Sequence, residues 1–235
     1  MTPLSRTPLS PAPLSRTTLS QTPLSRTPLS RTLLGAFVLA AAVDLGSLLA
    51  GADAGHLAAK PLLMPLLAAY AATRGAPKPL LAALLFGWGG DVLLLLDAEW
   101  AFLAGMGSFA LGHVCYLVLF GRRRTSPVLG ALYALALAGT ITALWSGLPA
   151  DLRIPVAGYS LLLTAMAYRS SSLGVLVGTG GALFLLSDTL IATGIADLPQ
   201  LPTPDFWVML TYIAAQYLLT AGTLQAMYGE RRTTS

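Results

Sequence analysis

The chain has 235 residues, 55% of them hydrophobic and only 10% charged, with a mean hydropathy of +0.70. Soluble domains carry about 25% charged residues, so the composition excludes a soluble globular class and indicates an integral membrane protein. The net charge of +4 is explained below by membrane topology, and no nucleic-acid partner is expected. A lone cysteine, Cys115, rules out a disulfide framework and a cysteine metal site. Two histidines, His56 and His113, without a further motif make a poor zinc site, so neither metal nor other cofactor is expected.

In chain order, residues 1–32 stand apart. "TPLSRTPLSP", "APLSRTTLSQ" and "TPLSRTPLSR" repeat with a period of ten, a composition that cannot bury enough apolar surface to offset its ordering entropy. A disordered basic tail is expected, with Arg6, Arg16, Arg26 and Arg31 available to anionic lipid. It lacks the apolar stretch of a secretory signal. Eight apolar runs follow, at 33–50, 57–73, 79–96, 101–120, 127–147, 152–168, 173–193 and 206–228. A transmembrane helix needs about 20 residues, with a range of roughly 17–25. Lys60, Pro61 and Pro65 interrupt the second run, which a bundle tolerates where neighbours satisfy the freed backbone groups. No alternation of the kind a transmembrane barrel needs is evident. Residues 33–228 therefore read as one all-α, polytopic bundle of eight spans, and 229–235 as a short cytoplasmic tail.

Charge tests this segmentation. Alternate breaks hold Arg6 to Arg31; Arg74 and Lys78; Arg122, Arg123 and Arg124; Arg169; and Arg231 and Arg232, which is 12 of the 14 basic residues. The other breaks hold Asp53, Asp97, Glu99, Asp151, Asp197 and Asp205, with Arg153 as their one base. The positive-inside rule puts the basic set in the cytoplasm. Both termini are then cytoplasmic, and the expected location is the plasma membrane of a bacterium.

Four charged residues remain inside the runs: Asp44, Lys60, Asp91 and Asp188. Each costs about 2.5–3.5 kcal/mol at mid-helix on insertion scales. The topology places them in the outer half of the membrane, joined there by Tyr159, Tyr212 and Gln216, with His113 nearer the middle of its span. Tyr212 and Gln216 are four apart and His113 and Tyr116 three apart, so each pair shares a helix face. Gly105, Phe109, Gly112 and His113 form a seam beside that face, and Gly87, Gly89 and Gly90 allow close approach to Asp91. The plainer reading has Lys60 neutralising Asp91 or Asp188, Asp44 shallow enough to cap or snorkel, Tyr159 as an interfacial aromatic, and Trp88, Trp100, Trp145 and Trp207 in the aromatic belts. One lysine cannot neutralise three aspartates, however.

"KPLLMPLLAAY" (60–70), "LLFGWGGDVLLL" (84–95), "GMGSFALGHVCYLVLF" (105–120), "GALFLLSDTLIA" (181–192) and "TYIAAQYLLTAG" (211–222) resemble the YhhN family, which includes the TMEM86 lysoplasmalogenases of mammals. The resemblance covers roughly 33–228. It implies a membrane hydrolase that cleaves the vinyl ether of lysoplasmalogens to a fatty aldehyde and a glycerophospho-headgroup. The family's polar motifs carry over to Lys60, Asp91, His113, Tyr116, Asp188, Tyr212 and Gln216. Trp88 and its flanking glycines make the third-span motif bulkier and more flexible than is usual in the family.

The residues suit this chemistry on physical grounds. Protonating the terminal carbon of a vinyl ether creates an oxocarbenium ion, to which water adds before the hemiacetal collapses. The step needs one carboxylic acid and one nearby carboxylate, as glycosidases need for a related cation. Asp91 and Asp188 are the expected acid and base, in either order. Lys60 tunes the pair or meets the phosphate, while His113, Tyr116, Tyr159, Tyr212 and Gln216 orient water and substrate. The expected partners are a lysophospholipid or other single-chain lipid and the surrounding membrane lipids. Two other classes fit buried charges: a solute or ion transporter, against which stands the absence of duplicated halves with broken helices, and a lipid-binding protein without turnover.

Overall fold

The structure is a computed structural model and describes residues 28–233. Eight α-helices make up the described chain: α1 (Pro28–Ala50), α2 (Asp53–Thr73), α3 (Lys78–Leu93), α4 (Glu99–Phe120), α5 (Pro127–Leu144), α6 (Arg153–Ser170), α7 (Val175–Ile195) and α8 (Pro204–Thr233). A 3₁₀ turn, Ser171–Leu173, joins α6 to α7. No strand occurs among the described residues, and the all-α bundle agrees with the periodicity of the sequence. Helix α1 begins five residues before the first expected span, inside the segment read as tail; residues 1–27 lie outside the described residues.

Local sequence accounts for most helix boundaries. Pro79 stands in the first turn of α3 and Pro127 in that of α5, where a missing N–H costs nothing. Ser126 caps α5 by accepting a hydrogen bond from the Leu129 N–H. Inside α2, Pro65 has no N–H to offer the carbonyl of Pro61 one turn earlier. The indole N–H of Trp88 donates to that carbonyl at 3.0 Å, which ties α3 to α2 beside Lys60. Trp88 is thus a packing residue as well as an exposed aromatic.

Five helices, α1, α4, α5, α7 and α8, are long and apolar enough to cross a membrane by length and composition. The expectation of eight spans meets a physical difference at the other three. Helix α3 has 16 residues, or about 24 Å at 1.5 Å per residue, because Leu94–Leu96 turn away from the helix instead of extending it. Helix α2 carries Asp53 and Lys60, and α6 carries Arg153 and Arg169. All three pack inside the bundle nonetheless.

The closest packing joins the sequential pairs α1–α2, α3–α4 and α7–α8, with α6 wedged against α4 and α7. The core holds Leu63, Met64 and Leu67 of α2, Leu84 of α3, Phe120 of α4, Met166 of α6, Phe184 of α7 and Leu219 of α8. Helix α5 is peripheral. It touches α6 and α7 and buries only Leu144, while Leu135 is 71% and Val128 69% exposed. Apolar side chains bared on this scale fit a bilayer and not water. The chain is an integral membrane protein.

Candidate active site

Two hydrogen-bonded chains cross the bundle, each ending on a buried carboxyl. Asp91, in the last turn of α3, is 2% exposed, and its Oδ2 accepts a hydrogen bond of 2.8 Å from Tyr212 OH on α8. Tyr212 OH in turn accepts from Gln216 Nε2 at 3.3 Å, and Gln216 Oε1 accepts from Tyr116 OH on α4 at 2.6 Å. The spacing of four between Tyr212 and Gln216 puts both on one face of α8. The glycines before Asp91 make the room. A Cβ at Gly87 would stand 3.0 Å from Gln216 Nε2 and 3.3 Å from Tyr212 OH, and one at Gly90 would overlap the ring of Phe109. What approaches these glycines is side chain from α4 and α8.

The second chain runs through α4, α6 and α7. Tyr159 OH donates to Asp188 Oδ2, and His113 Nε2 lies 3.0 Å from the same hydroxyl. His113 is 1% exposed and its ring meets the edge of Phe184, one turn before Asp188, at 4.8 Å between centroids. Its Nδ1 is buried with no hydrogen-bond partner.

The two chains differ in polarity. Along the first, Tyr116 donates to Gln216, Gln216 to Tyr212 and Tyr212 to Asp91. An amide nitrogen cannot accept, so this chain offers its hydrogens toward Asp91 in one sense only. The second holds only hydroxyl, imidazole and carboxyl, each able to donate or accept. With Tyr159 donating to Asp188, the imidazole hydrogen sits on Nε2. With a proton on Asp188 Oδ2 the order reverses, Tyr159 donates to Nε2 and the hydrogen sits on Nδ1. The two arrangements differ by the tautomer of His113, and Nδ1 has no hydrogen-bond partner to relay that hydrogen.

Both carboxyls line one chamber of about 310 Å³, within reach of helices α2 to α8. That volume is at the low end of the roughly 300–1,000 Å³ of ligand pockets. Its polar corner holds Lys60, Asp91, Tyr159, Asp188 and Tyr212, and the rest is mainly apolar, with Phe102, Met106, Leu137, Leu163, Leu185 and Ile195 on the walls. Leu144, Leu148, Val156 and Ala196 form a separate apolar cluster where α5, α6 and α7 meet.

All the residues singled out by sequence come together here: Asp91, Tyr116, Tyr212 and Gln216 in one chain, His113, Tyr159 and Asp188 in the other, and Lys60 on the shared wall. Two readings change. Lys60 makes no ion pair within 4.0 Å among the described residues, although its charge acts on both Asp91 and Asp44, so it does not lock either chamber carboxyl. Asp44 is not a shallow cap. It is fully buried and accepts a 2.8 Å hydrogen bond from Nδ1–H of His56. Sequence reasoning missed this pair because His56 lies at the start of α2, in what reads as a break; the one signal available was its place four residues before Lys60. It also missed Thr164, whose buried hydroxyl on the chamber wall has no partner. Among the described residues, no group of three or more His, Cys, Asp or Glu side chains gathers as a metal site.

Fold and site together define a polytopic membrane protein with a polar, two-carboxyl corner inside an apolar chamber. The model of the YhhN family matches residues 55–223, and the chain belongs to that family. The match takes in α3 to α7 and most of α2 and α8 and leaves out α1. Among its relatives, the lysoplasmalogenase TMEM86B of Sus scrofa is 37% identical over 164 residues, covering 70% of this chain and 71% of that protein. The human lysoplasmalogenase TMEM86B is 37% identical over 137 residues, 58% of this chain and 59% of that protein. The lysoplasmalogenase of Mycobacterium tuberculosis is 34% identical over 154 residues, 60% of this chain and 58% of that protein. The chain thus matches less than two thirds of the human protein's length. No solved structure gives a significant match.

Proposed function

We propose that this protein hydrolyses the vinyl ether bond of lysoplasmalogen-like, single-chain phospholipids, releasing a fatty aldehyde and a glycerophospho-headgroup. The observation that carries the reading is the pair of buried carboxyls, Asp91 and Asp188, on one apolar chamber, each held by a tyrosine from another helix. The relatives named lysoplasmalogenases support it.

In the proposed reaction Asp188 gives a proton carried on Oδ1 to the terminal vinyl carbon, while Tyr159 keeps its hydrogen bond to Oδ2 and serves the carboxylate that is left. The ether oxygen shares its electron pair with the adjoining carbon, and the oxocarbenium ion forms against the Asp91 carboxylate. Water adds to that carbon and loses a proton to Asp91. The hemiacetal then breaks its bond to the headgroup oxygen, which takes the proton back from Asp91 and leaves as the alcohol, while the hydroxyl proton passes to Asp188 and the aldehyde forms, so that both carboxyls return to their starting states. The one-way chain from Tyr116 through Gln216 and Tyr212 suits Asp91 as the carboxylate; Asp188, held by Tyr159 through Oδ2, suits the acid. The apolar walls take the hydrocarbon tail. In this proposal all eight helices cross the plasma membrane of a bacterium with both termini cytoplasmic, a reading supported by the alternation of basic and acidic breaks.

The test is mass spectrometry of the purified protein incubated with a lysoplasmalogen and with an ester-linked lysolipid. Aldehyde is expected from the first alone, and Asp91→Asn and Asp188→Asn each abolish it. Turnover retained in both variants refutes the assignment.

A further inference from the structure

Three charged side chains stand beside the chamber in a group that the proposed chemistry does not use. Asp44 of α1 is completely buried; its Oδ1 accepts from His56 Nδ1–H at 2.8 Å, and its Oδ2 has no partner. His56 keeps 18% of its side chain exposed, so the ring runs from a buried carboxylate to the surface. With Nδ1 fixed on Asp44, the other nitrogen, Nε2, is the one turned to whatever lies outside. Lys60 is four residues on, on the same face of α2, about one helical turn, or 5–6 Å, deeper along the axis. It lines the chamber with Asp91 and makes no ion pair within 4.0 Å among the described residues. Asp44 thus engages His56 directly and leaves Lys60 without an ion pair among the described residues, in a place where an unpaired charge is costly.

We propose that His56, oriented by Asp44, and Lys60 form a binding subsite for the phosphodiester of the lipid headgroup at the edge of the chamber. This rests on the proposed function and deepens it. In a single-chain glycerophospholipid the three glycerol carbons separate the chain-linked oxygen from the phosphate. A phosphate seated on His56 and Lys60 puts the chain-linked oxygen toward the polar corner, where Asp91 shares the wall with Lys60. The tail then continues along the apolar walls. Lys60 serves as a point charge and His56 as a directed N–H donor, and a charge-assisted hydrogen bond of this kind is about twice as strong as a neutral one. Asp44 is a positioning residue. It fixes the ring through Nδ1, so that Nε2, when it carries a hydrogen, is the donor to the ligand, and it does not touch the ligand itself.

Binding without turnover tests this. A 1-alkyl lysophospholipid, which lacks the reactive double bond, and the matching 1-alkylglycerol, which lacks the phosphate, are titrated calorimetrically into the purified full chain. The wild type is expected to prefer the phosphate-bearing lipid. His56→Ala should cut that preference about tenfold, the loss of one hydrogen bond to a charged group. Asp44→Asn should cut it less, and adding it to His56→Ala should cut it no further, as a residue that works through the ring requires. Should His56→Ala fail to fold, His56→Gln, which keeps a donor for Asp44, gives the same reading. Equal affinity of the wild type for the two lipids, or an unchanged preference in a folded His56 variant, overturns the subsite. Inorganic phosphate is titrated alone, and binding as tight as that of the lysophospholipid would reassign the site to free phosphate and overturn the headgroup assignment. A phosphate preference lost on mutation, in a protein that releases no aldehyde, keeps the subsite and removes the hydrolase reading.

Discussion

Replacing Tyr212 with Phe isolates the hydroxyl that joins Asp91 to the first chain. The ring of Tyr212 packs edge-on to Phe109 and Phe184, with centroids 6.0 and 5.4 Å away, and Phe preserves both contacts. What goes is the 2.8 Å donor to Asp91 Oδ2 and the 3.3 Å acceptor for Gln216 Nε2. A hydrogen bond to a charged group contributes about 1.5–3 kcal/mol, and a long neutral one much less. If the first bond supports the carboxylate that faces the developing cation, about 2 kcal/mol is lost from the transition state, or roughly a 30-fold fall in kcat/KM at 1.36 kcal/mol per factor of ten. The assay is aldehyde release from lysoplasmalogen by purified protein in micelles, read beside a thermal melt. A variant within threefold of wild type, with an unchanged melt, would show that the hydroxyl supports neither Asp91 nor the bundle.

Gly87→Ala should weaken activity and lower the melting temperature, because its Cβ must push apart Tyr212 and Gln216; Gly107→Ala, with nothing within 4 Å of the new carbon, is the control and should do neither. Leu137→Trp fills part of the chamber from the α5 side, so KM should rise more for long-chain than for short-chain substrates, and an equal rise would disconnect the apolar walls from the tail. Gln216→Glu keeps the volume and replaces the amide donor with an acceptor, so Tyr212 OH is drawn away from Asp91. Aldehyde release should fall about as far as in Tyr212→Phe; wild-type rates would show that the direction of the chain does not matter.

The membrane class and the gathering of polar side chains were legible because both rest on single-residue energetics. Asp91 and Asp188 stand out since a carboxyl within an apolar run costs several kcal/mol wherever the helix goes. The pairing of Tyr212 with Gln216 follows from helical period alone. What escaped needed three-dimensional knowledge. Asp44 and His56 are twelve residues apart across the α1–α2 turn, and no periodicity joins the end of one helix to the start of the next. The Trp88 bond to the Pro61 carbonyl answers a missing N–H on a different helix. The length of α3 depends on where Leu94 leaves the helix, although the hydropathy of the run continues through Leu96. The plainer alternative, in which Lys60 neutralises Asp91 or Asp188, could not be weighed from sequence because charge counting supplies no geometry.

With Asp91 as the carboxylate, as proposed, the charge facing the reacting carbon favours a vinyl ether over an ester of the same shape. Both bonds lie at the junction of tail and headgroup, so chain length and phosphate recognition do not tell them apart. Ester hydrolysis passes through an anionic tetrahedral intermediate, which needs donors aimed at the oxyanion, whereas vinyl ether protonation passes through a cation. A carboxylate about 4 Å from a developing unit charge contributes about 4 kcal/mol at an effective dielectric constant of 20, favourable for the cation and opposed for the anion. Nor does either histidine hydrogen-bond a serine or threonine hydroxyl among the described residues. The two histidines are engaged by Asp44 and Tyr159, and Ser187 on the chamber wall donates to the Val208 carbonyl at 3.1 Å. Lys60 is the cation on the wall, and in the proposed subsite the headgroup phosphate is the anion it meets. On the proposed reading the chamber suits protonation of an electron-rich carbon, and an ester oriented identically would meet the Asp91 carboxylate with charge of the wrong sign.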